Sequence, residues 1–104
     1  MDEGWIALDT PPPAAGQMRA VDAGGTSVLV CNVDGALHAL ENHCPHAGIP
    51  LADGRLRGCV LECPMHGGKL DVRDGTPKAA PIRTRAPLFA VRRTETGIEI
   101  RRGA

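Results

Sequence analysis

The pentapeptides Cys44-Pro45-His46-Ala47-Gly48 and Cys63-Pro64-Met65-His66-Gly67 repeat one theme. Each has a cysteine, then a proline, a histidine two or three positions after the cysteine, and a glycine four positions after it. Structural zinc usually takes like ligands in pairs, C-x2-4-C and H-x3-5-H, around a single tetrahedral ion. A cysteine and a histidine separated by one residue fit that template poorly. They fit better if each loop straddles a dinuclear cluster, giving its thiolate to one metal and its imidazole to the other. Soft thiolates favour iron-sulfur chemistry, and exchanging two of four thiolates for neutral imidazoles removes negative charge and raises the reduction potential. Cys44, His46, Cys63 and His66 are therefore the candidate ligands. A zinc-stabilised interaction module with no redox role is the alternative.

The elements that must hold these loops read as β throughout. Apolar runs at 5–8, 17–21, 26–33, 36–41, 59–63, 69–72, 88–93 and 97–102 are separated by Gly24-Gly25, Asp34-Gly35 and Thr96-Gly97, and Asp-Gly between two such runs signals a hairpin. No window carries the 3.6-residue periodicity of an amphipathic helix. Residues 43–87 stand apart, with six of the nine prolines, three of the four histidines and three of the four cysteines. They read as a loop-rich lobe carried on a β base within one domain, 1–104.

Composition narrows the function. No apolar run is long enough to span a bilayer, and the N-terminus lacks a basic segment followed by an apolar one, so the expected location is cytoplasmic and no membrane partner is expected. Thiols stay reduced there, which favours metal or catalysis over disulfides. Formal charge is zero, but residues 1–54 carry seven acids and one base while 55–104 carry five acids and eleven bases. The bases are scattered and the only aromatics are Trp5 and Phe89, so a solvated surface is expected rather than a nucleic-acid interface. Cys31 and Cys59 sit in apolar runs and are expected to be small buried hydrophobes. His38 is expected to pack in its strand, and His43 to take a surface or supporting role.

From Trp5 through DGALHALENHCPHAGIPLADGRLRG and CVLECPMHGGKLDVRDGTP to the last hairpin, the sequence resembles the Rieske-type ferredoxins of oxygenase systems. The resemblance implies a fold of antiparallel β base plus cluster-binding lobe. It implies one [2Fe-2S] cluster per chain, with Cys44 and Cys63 on the inner iron and His46 and His66 on the outer. It further implies a one-electron carrier, not itself an enzyme, between a flavin-dependent ferredoxin reductase and a terminal ring-hydroxylating oxygenase. A small Rieske subunit of an assimilatory nitrite reductase is the nearer alternative. Gly48, Gly67 and Gly68 are expected to turn the backbone with positive φ, and GTPKAAP (75–81) resembles the family's third, covering loop. High-potential relatives carry a cysteine where Ile49 and Met65 stand, and Ser and Tyr where Gly68 and Leu70 stand. Their absence implies a low potential, and restoring the two hydroxyls is expected to raise it. Ala47, Ile49, Pro50 and Met65 are expected to form an apolar docking tip.

Overall fold

The computed structural model describes residues 4–65 and 67–103. Ten strands form: β1 (Ile6–Leu8), β2 (Met18–Ala23), β3 (Thr26–Val33), β4 (Ala36–Glu41), β5 (Arg55–Arg57), β6 (Val60–Glu62), β7 (Lys69–Asp71), β8 (Pro77–Ala79), β9 (Leu88–Arg93) and β10 (Ile98–Arg102). The only helical segment among the described residues is a 3-10 turn at Leu51–Asp53, so the all-β expectation holds. The base is a six-stranded antiparallel sheet in the order β1-β10-β9-β4-β3-β2, and the lobe a four-stranded sheet in the order β5-β6-β7-β8.

The hairpin signals act as expected. Asp34 adopts φ 52, and its turn is tied back by the Gly35 N–H donating to Asn32 Oδ1 at 2.7 Å. That left-handed start suits the tight turn that continues the right-handed twist of β3 and β4. Asn32 is buried at 4% exposure and uses its amide as well, donating from Nδ2 to the Pro13 carbonyl at 2.9 Å. The proline-rich segment 11–13 is thereby fastened without a strand, which its missing N–H groups would not have supported.

β3 explains its own unbroken apolar run. Val28 and Val30 point into a core shared with Ala39, Phe89, Ile98 and Ile100. Leu29 and Cys31, on the opposite face, enter a second core with Leu40, Leu51, Leu61, Leu70, Val72 and Ile82. A strand buried on both faces cannot alternate. The second core joins base to lobe, and Cys44 and Cys63 belong to it. Fully burying each leucine there contributes on the order of 1.5–3 kcal/mol, so the lobe is fixed by packing rather than by its short strands.

The base also curls until its edges approach. A Cβ built on Gly24, in the β2–β3 turn, would lie 3.2 Å from Cδ1 of Ile6 on β1. The Arg92 and Arg101 guanidinium groups both stack on the Trp5 ring, 4.0 and 4.7 Å from its centroid.

Three expectations need correction. β5 and β8 lie outside the apolar runs of the sequence, and GTPKAAP supplies β8 at Pro77–Ala79 rather than a continuous loop. Cys59 lies in the turn before β6, only partly buried, because strand pairing begins one residue later. Its thiol faces Asp71 Oδ2 at 3.8 Å, a polar environment rather than an apolar one.

Candidate metal centre

The two loops are built alike. The Cys44 N–H donates to the Ile49 carbonyl at 2.8 Å, and the Cys63 N–H to the Gly68 carbonyl at 2.7 Å, so each loop is closed from its cysteine to the residue five positions on. Gly48 and Gly67, each four residues after the cysteine, both sit at φ 70, a conformation with a steric cost for residues bearing a Cβ. The second loop caps the β6–β7 hairpin. The first is moored to the base by Asn42, whose N–H and Nδ2 donate to the Ser27 carbonyl and hydroxyl while its Oδ1 accepts from the Ala52 N–H at 2.9 Å.

Gly68 differs from the other two glycines. It is not at positive φ; it is where the chain segment after β8 closes down. A Cβ there would lie 2.7 Å from Ile82 Cγ1 and 3.2 Å from Pro81 Cδ. The covering role expected of residues 75–81 is thus carried by Pro81 and Ile82.

At the base of the loops, Cys44 and Cys63 are each 1% exposed and their thiols lie within hydrogen-bonding reach of one another. Backbone donors aim at the sulfurs: the Ala47 N–H reaches Cys44 Sγ at 3.5 Å, and the Met65 N–H bonds the Cys63 sulfur. Burial first, and then the Cys44 thiol, pushes the Cys63 thiol above its ordinary value, while the Met65 N–H pulls it down. Two thiolates this close and this dry repel each other unless a cation lies between them. Preset N–H donors with a buried thiol pair suit iron-sulfur ligation, in which hydrogen bonds to sulfur tune the cluster.

His46 is exposed, two residues after the buried Cys44 on the first loop. It does not join them in a three-ligand group, and no three His, Cys, Asp or Glu side chains form one among the described residues. His66 lies outside the described residues. Met65, at 43% exposure on the second loop, and Pro50, after the first, are exposed, whereas Ala47 and Ile49 pack against the lobe–base core; the expected apolar tip is reduced to the first two.

The remaining candidates take other roles. Cys31 is fully buried, and burial pushes its thiol up to about 12, so it remains protonated and inert. His38, half-buried opposite Cys31, packs in β4 as expected. His43 is exposed, its ring 3.7 Å from the position a Cβ on Gly48 would take. Sequence reasoning missed the Ile82–Gly68 contact and the Asn42 mooring, neither of which leaves a spacing signal.

Comparison with known proteins agrees with this geometry. The ferredoxin component of biphenyl 2,3-dioxygenase from Rhodococcus jostii (strain RHA1) is 38% identical over 79 residues, 76% of this chain and 74% of that one. The ferredoxin component of the naphthalene 1,2-dioxygenase system from Pseudomonas aeruginosa is 31% identical over 93 residues, 88% of this chain and 89% of that one. Among solved structures, a chain in the complex of reduced oxygenase and oxidized ferredoxin in carbazole 1,9a-dioxygenase superposes with a TM-score of 0.84 at 29% identity, covering 95% of this chain and 94% of that one. The profile described as the Rieske [2Fe-2S] domain matches residues 7–92. With that match across most of its length, the chain belongs to the Rieske [2Fe-2S] family.

Proposed function

We propose that this protein is a one-electron carrier that takes electrons from a flavin-dependent ferredoxin reductase and delivers them to a terminal ring-hydroxylating oxygenase in the cytoplasm. The chain, read as one Rieske domain over 1–104 with its lobe at 43–87, uses one cluster per chain. Cys44 and Cys63 would hold one iron, and His46 and His66 the other. The cluster, when bound, supplies a reversible one-electron couple. The chain's own contribution is to keep the thiol side dry, to aim the Ala47 and Met65 N–H groups at sulfur, and to leave the His46 side at the surface where a partner can approach. The relatives named above are ferredoxin components, and the same role here makes this chain a carrier and not the oxygenase itself.

The observation that carries the reading is the pair of buried, mutually close thiols on two matched loops, one of which also carries an exposed histidine. Iron and acid-labile sulfide analysis of the purified protein, with its visible spectrum, tests it. A reddish-brown protein with two irons and two sulfides per chain is expected, and Cys44→Ser or Cys63→Ser should abolish the colour. A colourless, zinc-loaded protein overturns the carrier reading in favour of the interaction module.

A further inference from the structure

Glu62 is the last residue of β6, immediately before Cys63, and it is half-buried. It leans over the second ligand loop, with Oε2 3.6 Å from where a Cβ on Gly67 would sit. Arg55 and Lys69 face it in register on the flanking strands β5 and β7. Both are exposed, and among the described residues no ion pair forms with either, the two present being Arg73–Asp71 and Arg92–Glu99. Long cationic side chains that keep their heads in water are screened, whereas a carboxylate held against the loop acts at short range, where screening by salt is weakest.

We propose that Glu62 sets the reduction potential: its unneutralised carboxylate beside the Cys63–Gly68 loop disfavours added negative charge at the centre and holds the midpoint low. The inference rests on the cluster assignment above. The step it governs moves one electron from the reductase onto the centre, with no bond made or broken and one unit of negative charge gained. A fixed negative charge nearby opposes that gain by Coulomb repulsion. It thereby strengthens the centre as a donor to the oxygenase at the expense of its capture of electrons from the reductase.

The test is protein-film voltammetry of the cluster-loaded protein near neutral pH. Iron, sulfide and the visible spectrum are recorded for every variant. Glu62→Gln should raise the midpoint by the equivalent of roughly three- to tenfold in the electron-exchange equilibrium, tenfold being about 59 mV for one electron. Glu62→Lys should move it further in the same direction, and Glu62→Asp, which keeps the charge, should stay within about twofold of the parent. Should the Gln variant load poorly, Glu62→Thr supplies a neutral residue suited to a strand. A parent without the cluster defeats the carrier reading. A loaded parent whose neutral variants keep its midpoint, or shift no more than the Asp variant, defeats the role of Glu62, as does loss of loading in both neutral variants.

Discussion

Asp71 is buried at 1% exposure, and its acidity is set chiefly by Arg73. The Arg73 side chain bonds both carboxylate oxygens, with Nη2 to Oδ2 at 2.8 Å, and the Arg73 N–H adds a bond to Oδ1 at 2.9 Å. These contacts, Arg73's side chain foremost, outweigh the opposing effect of burial and lower the carboxyl to about 2. A folded pKa below the unfolded one contributes stability that is fully present above about pH 4 and is lost as pH falls toward 2. Since the Arg73 side chain is 58% exposed, screening limits the contribution to on the order of 1–2 kcal/mol. Asp71→Asn should therefore lower the thermal midpoint at pH 7, by about 4–8 °C for each kcal/mol. The gap between variant and parent should close as the pH approaches 2. A gap that persists undiminished at pH 2 would show that shape, not charge, is what Asp71 provides.

The β6–β7 hairpin and the segment that covers it form a fitted pair. The exchange of Gly68 for Ser and Leu70 for Tyr, which comparison with high-potential relatives suggests, meets an obstacle here. A Cβ at 68 collides with Ile82 Cγ1, and Leu70 is fully buried, so a larger ring there overfills the lobe–base core. Gly68→Ser alone should cost about 1–3 kcal/mol. Ile82→Ala relieves the collision, so the double variant should lose less than the sum of the singles, with a coupling of about 0.5–3 kcal/mol in thermal or denaturant unfolding. Strict additivity would show that Ile82 does not guard the site. The strands at 26–33, 36–41 and 88–93 were legible because long apolar runs met turn residues. Arg55–Arg57 and Pro77–Ala79 were not, since three residues rich in charge or opened by proline become strands only through pairing with β6 and β7. The thiol pair was legible from its doubled spacing. Glu62 leaning on Gly67 and Ile82 seated on Gly68 were not, because such contacts are set by the lobe's tertiary packing.

Viewed whole, the molecule is elongated, about 40 × 24 × 19 Å. The loop after β6 carries the exposed Met65, while Ile6 is the other large exposed apolar side chain among the described residues. Electron-transfer encounters are small and weak, so one exposed apolar side chain on that loop can decide coupling. Met65→Glu should slow oxygenase-coupled turnover several-fold while leaving the visible spectrum unchanged. Unaltered coupling would move the contact to another face. Glu62→Gln, by contrast, should change the midpoint without needing any partner present. The double burial of β3 sets a different limit, on how the molecule can come apart. Its Val28 and Val30 hold one core, its Leu29 and Cys31 the other, and Cys44 and Cys63 share the latter. Neither sheet can open alone without exposing half of that strand. Base and lobe therefore behave as a single cooperative unit, and the β3 amides should be among the last to exchange with deuterium. A fluctuation large enough to free those amides would also loosen the seat of both thiols, so backbone protection in β3 and retention of the metal should fail together.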